Sequence, residues 1–326
     1  MSVIAGIRVS RRYLLLTSLL IVVLASSLFV CIFMMNGCDG ISLEHVIHVK
    51  NEDELKNMIN NTVNKKSTVV ALDNDITLTE TLRIPDDKDI TITSNKATEY
   101  YKLIGAEGKS TVFVDGKGIL KLDGIIITHV NHRGPELGGG VYVAEGGWLI
   151  MCSGEISGNS ASDVGDPFRS ASSGGGVYNL GIFDMQGGKI SNNIVSTTGS
   201  SGAPGGGCGG GVYNHGIFTM SGGEISNNNA VNGGGGVSNG SNASFERLGG
   251  VISGNTASNG NDVYPDGGSG GSSNGNGELY SSSGFSLRDI VFICVGVALV
   301  VVGVVVAVLL FTFKKELKYT TKEKTI

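Results

Sequence analysis

The sequence predicts an all-β protein built around a right-handed parallel β-helix, a solenoid that we place at residues 68–264. We expect a capping helix at the N-terminal end of this solenoid and a transmembrane helix near each end of the chain. Three observations predict this fold class: a repeat rich in glycine and asparagine, short strand patterns upstream of it, and two long uncharged apolar runs.

The two apolar runs predict helices that cross a membrane. Leu14–Met35 is almost wholly apolar and follows three arginines, whereas Ile290–Phe313 has 24 uncharged residues and precedes a pair of lysines. A helix needs about 20 apolar residues to span a bilayer. Because basic residues flank the outer end of each run, both termini are expected in the cytoplasm and the middle of the chain outside it.

These runs divide the chain into segments. Residues 1–38 are expected to be either a cleaved signal peptide or a retained signal anchor, and the sequence leaves both open. Residues 39–67 form the N-terminal cap of the solenoid. Beyond the solenoid, a Gly/Ser-rich linker at 265–287 leads to a transmembrane helix at 288–313 and a basic cytoplasmic tail at 314–326.

The repeat occurs four times between residues 138 and 255. Each copy has three glycines and a valine, then an apolar residue, an isoleucine seven positions later and an asparagine three positions after that. The valine precedes the apolar residue by 8, 6, 6 and 8 positions, and such even changes keep inward side chains inward. The rows are Val141, Val177, Val212 and Val237; Leu149, Phe183, Phe218 and Phe245; Ile156, Ile190, Ile225 and Ile252; Asn159, Asn193, Asn228 and Asn255.

Stacking of successive coils turns these rows into continuous buried columns. Met151, Met185 and Met220 lie two residues beyond the apolar row and share its face, and Arg247 replaces them in the last copy. The asparagine row predicts a ladder of turns, because asparagine tolerates left-handed backbone geometry and can hydrogen-bond its counterparts above and below. We expect the insertions at 160–173 and 196–208 to leave the stack as loops on one side.

Upstream of the repeat, shorter patterns predict further strands and the cap. Asn51 is expected to cap a helix over residues 51–59, with Glu54 as the reciprocal capping residue. The expected strands are 69–72, 76–78, 82–84, 90–93, 112–114, 120–122 and 125–127.

The unit Gly-Gly-Gly-Val-Tyr-Asn-x-Gly-x-Phe-x-Met-x-Gly-Gly-x-Ile-Ser-x-Asn, intact at 174–193 and 209–228, resembles the repeat of adhesin-like proteins of bacteria and methanogenic archaea. These proteins belong to the pectin-lyase-like group of right-handed parallel β-helices. The resemblance covers roughly residues 45–264. It implies a cell-surface location and the β-helical fold, and it says little about the ligand.

Few residues are suited to catalysis. Glycoside hydrolysis needs two carboxylates across a cleft. The best cluster lies on or beside adjacent expected strands, and a second acidic group around Lys88 is interpreted as a solvated turn. The first comprises Asp115, Asp123, His129, His132 and Arg133; the second comprises Asp86, Asp87 and Asp89. We predict no catalytic, cofactor-binding or metal-binding residue and no cofactor.

Polar residues elsewhere receive structural interpretations. The outward positions of the repeats carry Glu155, Asp184, Lys189 and Glu224, and we expect no basic residue to be placed beside an acidic one. His215 is interpreted as a lone exposed histidine, and residues 261–264 as the end of the last coil rather than a single calcium repeat.

The sequence alone does not decide whether cysteines pair or asparagines carry glycans. An exported chain could pair Cys152 with Cys208, although we favour two unrelated thiols. Asn60, Asn239 and Asn242 each stand in Asn-x-Ser/Thr and are candidate glycan acceptors in an exported chain.

These features predict a membrane-anchored cell-surface protein of the adhesin-like kind, which presents a rod of about seven coils to glycans or surface proteins and is not an enzyme. The alternative is a carbohydrate-active enzyme, a polysaccharide lyase or glycoside hydrolase, on the same β-helix. A net charge of −5 gives no reason to expect nucleic acid as a partner. The expected partners are the lipid bilayer and a glycan or surface-protein ligand.

Overall fold

The computed structural model describes residues 46–95, 99–129, 135, 137–162, 172–196 and 206–265, together with 3–4, 7–8 and 38. The chain divides into two compact units, Met1–Asp39 with Ser283–Ile326 and Gly40–Ser282. In the first unit, β1 (Val3–Ile4) and β2 (Ile7–Arg8) pair antiparallel. No helix among the described residues is long and apolar enough to cross a bilayer. Both apolar runs lie outside those residues.

The second unit is a stack of seven coils preceded by a cap. The cap consists of β3 (Val46–Val49) and α1 (Glu52–Asn61). The first three coils are β4 (Ser67–Leu72), β5 (Ile76–Thr77) and β6 (Leu82–Ile84); β7 (Asp89–Ser94), β8 (Lys102–Gly105) and β9 (Val112–Val114); β10 (Ile119–Asp123), β11 (Ile126–His129) and β12 (Val141–Val143).

The remaining four coils contain the repeat. Coils four and five are β13 (Trp148–Met151), β14 (Glu155–Ser157), β15 (Ser160–Ser162) and β16 (Val177–Asn179); β17 (Ile182–Met185), β18 (Lys189–Ser191), β19 (Ile194–Ser196) and β20 (Val212–Asn214). Coils six and seven are β21 (Ile217–Met220), β22 (Glu224–Ser226) and β23 (Val237–Asn239); β24 (Ser244–Arg247), β25 (Val251–Ser253) and β26 (Val263–Pro265).

Each coil contributes one strand to each of three parallel sheets. Sheet 1 has eight strands in the order β24-β21-β17-β13-β10-β7-β4-β3. Sheet 2 has seven, β25-β22-β18-β14-β11-β8-β5, and sheet 3 has seven, β26-β23-β20-β16-β12-β9-β6. Every strand pairs with its counterpart one coil away, as a β-helical solenoid requires. The expected coil number is therefore confirmed, and the right-handed sense of the coil stays a prediction.

The inward columns lie where the repeat spacing places them. Phe183, Phe218, Ile190 and Ile225 are fully buried, and the register pairs each with its counterpart in the next coil. The rings of Phe183 and Phe218 stack with centroids 4.7 Å apart and planes 4° from parallel. Such stacking adds about 0.5–1.5 kcal/mol to the burial of the rings. The methionine row is likewise fully buried: Met151, Met185 and Met220.

The two ends of the stack differ. At the N-terminal end, Leu55 and Ile59 of α1 are buried in the same core as the first coil, so the expected cap is confirmed. The amide N–H of Glu54 donates to Asn51 Oδ1 at 2.9 Å, while the Glu54 carboxylate accepts from the N–H of Lys50 at 2.8 Å. At the other end, Arg247 takes the methionine position and is exposed. An inward-pointing charge on an edge strand opposes pairing with another chain.

In the second unit, four strands fall where the sequence predicted none: β3, β8, β15 and β19; β1 and β2 of the first unit were not predicted either. The last two show that the insertions are not entirely loops, because Ser160–Ser162, at the start of the first insertion, pairs in parallel with Ile194–Ser196, whose last residue begins the second. Their ends pair as well, through bridges from Leu137 to Ser173 and from Ser173 to Cys208. The expectation of loops is wrong for these residues, since cross-coil hydrogen bonding continues into each insertion. Residues 163–171 and 197–205 lie outside the described residues.

Candidate functional site

The cluster considered for catalysis is divided among three corners of the coil. Asp115 follows a strand of sheet 3 and forms an ion pair with Arg83. Asp123 ends a strand of sheet 1 and accepts a hydrogen bond from Ser153 Oγ at 2.6 Å. His129 ends a strand of sheet 2 and is buried. The three side chains do not share a face, and the other two members, His132 and Arg133, lie outside the described residues.

His129 has a structural environment. Its Nε2 donates to the carbonyl oxygen of Lys109 at 2.7 Å, and its Nδ1 lies 3.0 Å from Asn159 Oδ1. Gly105 leaves the space for this ring, because a Cβ at Gly105 would lie 2.5 Å from Nε2 of His129. The imidazole thus begins a buried column of asparagines.

The asparagine column is a directional hydrogen-bonded ladder. Nδ2 of each asparagine donates to Oδ1 of the next, over 3.0 Å from Asn159 to Asn193 and 2.9 Å at the two following steps. The last member, Asn255, donates to Asp262 Oδ1 at 2.9 Å. The predicted ladder is confirmed, and residues 261–264 close the last coil, in which β26 pairs with β23.

The left-handed residue in each turn is not the ladder asparagine itself. It is the preceding residue, which is Gly158, Asn192, Asn227 or Gly254, with φ between 56° and 69°. This corrects the expectation that the ladder residue adopts left-handed geometry. The ladder position is instead specified by the buried acceptors of its amide, such as the carbonyl oxygen of Ile156 for Asn193.

The acidic turn between the first two coils supports the cap. Asp87 has a left-handed backbone with φ 62°, and Asp86 Oδ1 accepts from the N–H of Lys117 at 3.0 Å. Nζ of Lys88 donates to the carbonyl oxygen of Thr62, just after the helix. A cation at this position is stabilised by the negative C-terminal end of the helix dipole. Burial raises the pKa of Asp89.

Charged residues on sheet 2 are paired, contrary to expectation. The register places Lys189 between Glu155 and Glu224, and its Nζ lies 3.2 Å from Glu224 Oε1. Sequence separation conceals this pair, because the two residues are one full coil apart. On sheet 1, burial raises the pKa of Asp184, although the hydrogen bond from Gln186 Nε2 opposes the shift.

Sheet 3 carries a column of outward-facing aromatic residues that the sequence analysis did not identify. We call Phe113, Tyr142, Tyr178 and Tyr213 the aromatic column. Each occupies the middle of a three-residue strand, between a buried valine and a third residue whose side chain also faces the interior. Successive centroids are 4.7, 5.2 and 5.2 Å apart, with planes 6°, 22° and 14° from parallel. The signal was present in the Val-Tyr-Asn element of the repeat.

The ring faces of the column are occupied by one another. At the first end, the guanidinium of Arg83 lies 4.4 Å from the centroid of Phe113. Tyr142 and Tyr178, which are partly exposed, therefore have ring edges and hydroxyl groups, rather than ring faces, available for a ligand, whereas Tyr213 is buried. Burial raises the pKa of Tyr142 and Tyr178, so both phenols stay protonated well above neutral pH and can donate as well as accept hydrogen bonds.

Asparagines beside the column form a second ladder. Asn179 Nδ2 donates to Asn214 Oδ1, and Asn214 Nδ2 donates to Asn239 Oδ1, both over 2.7 Å. On the other side, Gly174 and Gly209 adopt φ near 69°. A Cβ on Gly209 would lie 2.7 Å from Cα of Tyr213. The column is therefore fixed between an asparagine ladder and a glycine bend.

The remaining candidate groups are the cysteines, the possible glycan acceptors and metal-binding side chains. Cys208 is a buried thiol that donates weakly to the carbonyl oxygen of Gly206, so it does not pair with Cys152. Among the glycan-acceptor candidates, Asn242 is exposed, whereas the Nδ2 of Asn239 donates to the carbonyl oxygen of Ala243 at 3.1 Å. Within the described part of the chain, no three His, Cys, Asp or Glu side chains are grouped to hold a metal ion.

No protein-family model matches the chain, and no curated protein compared with it is similar to it.

Proposed function

We propose that this chain is a membrane-anchored surface protein of the adhesin-like kind, and that its right-handed β-helix binds glycans or surface proteins without catalysis. The aromatic column is the observation that carries this proposal. Its rings support one another over four coils, so the hydroxyl edges of Tyr142 and Tyr178 are preorganised for a ligand. Preorganisation lowers the entropic cost of binding.

A binding role is favoured over an enzymatic one by where the ionisable groups lie. Asp115, Asp123 and His129 occupy different corners and make structural contacts there. Glycoside hydrolysis requires two carboxyl groups on either side of one bond. The repeat's resemblance to adhesin-like proteins of the pectin-lyase-like group supports the same role.

The proposed location outside the cell rests on the two apolar runs. Residues 14–35 and 290–313 are long enough to span a bilayer, and the basic residues outside them favour cytoplasmic termini. The linker at 265–287 would hold the solenoid away from the membrane. Many copies on one surface would compensate for weak individual contacts.

Removal of two hydroxyl groups tests the binding role. The double variant Tyr142→Phe/Tyr178→Phe keeps the ring stack and deletes only the phenolic oxygens. Full-length protein is displayed on cells and measured on arrays of glycans and surface proteins. We expect the strongest ligand of the unmodified chain to bind about tenfold more weakly, as the loss of two hydrogen bonds implies.

The matched control is Ser157→Ala, which removes an outward hydroxyl from sheet 2 and should leave binding unchanged. Equal binding by the double variant would remove the aromatic column from the proposal. Release of shortened glycan products during the assay would instead favour the enzymatic alternative. Digestion of the β-helix by external protease on intact cells checks the location separately.

A further inference from the structure

The aromatic column is interrupted in the sixth coil. The aligned outward-facing positions of sheet 3 in coils four to seven are Tyr178, Tyr213, Ser238 and Tyr264. Coils are about 4.8 Å apart, as adjacent strands of a sheet are. Ser238 therefore gives the sixth coil no ring of its own and leaves a gap in the column, next to which the ring of Tyr264 leans onto the sixth coil, where a Cβ on Gly233 would lie 2.5 Å from its Cδ1. We call this gap, bounded by Tyr213, Ser238 and Tyr264, the aromatic slot.

The imidazole of His215 occupies the slot from the side. Its centroid lies 5.4 Å from that of Tyr213, with planes 19° from parallel, close to the 5.2 Å and 14° between Tyr178 and Tyr213. The ring extends over the next coil, where a Cβ on Gly240 would lie 2.7 Å from His215 Cδ2. His215 thus stands at the place where the sixth coil would supply an aromatic ring.

The floor of the slot has an unused hydrogen-bonding group. Ser238 is fully buried, and its Oγ has no hydrogen-bond partner. Buried hydroxyl groups nearly always have a partner, because leaving one unpaired is costly. A ring that stacks in the slot and carries an N–H or O–H group would supply this partner.

His215 is suited to leave the slot. Its side chain is exposed, and its ring stacks on that of Tyr213. A stacked aromatic pair contributes little free energy compared with a buried core side chain. A competing ring can therefore displace the imidazole into solvent without unfolding the coil.

We propose that the aromatic slot binds one planar aromatic ring bearing an N–H or O–H group. The ring displaces His215, stacks on Tyr213, lies against Tyr264 and donates a hydrogen bond to Ser238 Oγ. Such a ring can belong to a tryptophan or tyrosine side chain of a partner peptide or to a free small molecule. This site does not depend on the proposed adhesive role.

The test uses the full-length chain in detergent micelles and saturation-transfer difference NMR, which detects weak binding through the probe's own resonances. Indole represents a free ring, and N-acetyltryptophanamide represents the same ring on a peptide backbone. 1-Methylindole has the same shape as indole without its N–H. The micelle contributes equally to every variant, so differences between variants report on the slot.

Opposite effects are expected from opening and filling the slot. His215→Ala removes the competing ring and should strengthen indole binding about fivefold. Ser238→Tyr restores the residue of the other coils and should abolish the response. Ser238→Ala removes the hydroxyl and should make indole and 1-methylindole equivalent. His215→Trp, which fills the slot with a larger ring, replaces Ser238→Tyr if that variant fails to fold.

A response to indole alone assigns the slot to free aromatic molecules, and a response to N-acetyltryptophanamide assigns it to peptide side chains. Equal indole responses from the unmodified chain and a folded filled-slot variant would overturn the proposal. So would an unmodified chain that does not distinguish indole from its methylated form.

Discussion

Replacement of Asn193 by alanine measures how strongly the asparagine ladder holds the coils together. The fully buried side chain donates to Asn228 Oδ1 at 2.9 Å and to the carbonyl oxygen of Ile156 at 2.8 Å. It also accepts from the N–H and the Nδ2 of Asn159, both at 3.0 Å. Alanine removes all of these bonds at once.

The expected loss in the free energy of unfolding follows from the buried polar groups that lose their hydrogen-bond partners. Nδ2 of Asn159 keeps its bond to the carbonyl oxygen of Ile127, and Oδ1 of Asn228 keeps the N–H of residue 193. The N–H of Asn159 and the carbonyl oxygen of Ile156 lose these partners inside the core. At about 1–3 kcal/mol for each unsatisfied group, the free energy of unfolding should fall by about 2–6 kcal/mol. Whole domains are stable by only about 5–15 kcal/mol.

Urea unfolding of the full-length chain, followed by circular dichroism, is the assay. With a slope of about 1–3 kcal/mol per molar urea, the midpoint should fall by about 0.7 M or more. Asn242→Ala, at an exposed turn, is the control and should change stability by no more than about 0.5 kcal/mol. If both variants unfolded at the same urea concentration, the ladder would not be a principal source of stability.

Three further outcomes are expected from the same assay. Phe218→Ala, in the fully buried stack, should cost about 3–5 kcal/mol, and Phe245→Ala in the more open last coil should cost less. Gly175→Ala should be strongly destabilising, because its Cβ would lie 2.6 Å from the carbonyl oxygen of Gly210. An unfolding midpoint equal to that of the unmodified chain would contradict this close contact between coils. Asp184 has a pKa raised by burial, so its contribution to stability is present at low pH and is lost as the pH rises through the folded-state pKa. Asp184→Asn should therefore raise the midpoint at neutral pH and leave it unchanged well below the ordinary aspartate pKa.

The inward residues could be predicted because their pattern is local. Alternation along a strand fixes which side chains point inward, and the constant spacing from Phe183 to Ile190 and from Phe218 to Ile225 fixes the order of the strands. The cap was predictable for the same reason, since Asn51 and Glu54 are close in sequence. β8 was missed because Lys102–Gly105 is short and only weakly alternating.

Cross-coil partners could not be predicted in the same way, because they depend on the length of each coil. Val141, Val177, Val212 and Val237 occupy one column although successive members are 36, 35 and 25 residues apart. The pairing of Lys189 with Glu224 and the stacking of the aromatic column emerge only after these unequal coils are superposed. The expectation of unpaired charges was wrong for that reason.

His215 shows the same limit at the candidate site. Its exposure was predicted correctly from its place in a turn. Its position against the following coil depends on Gly240, which lacks the Cβ that would exclude the imidazole. A residue that contacts its sequence neighbours was predictable, whereas one that contacts the next coil was not.

The direction of the asparagine ladder determines how such a protein can lengthen in evolution. His129 lies at one end of the ladder and Asp262 at the other, and Asn193, Asn228 and Asn255 each accept from the preceding asparagine and donate to the following side chain. A duplicated coil that carries its own ladder asparagine continues the chain of hydrogen bonds wherever it is inserted between these two end residues. Whole-coil duplication can therefore extend the array without any change at either end.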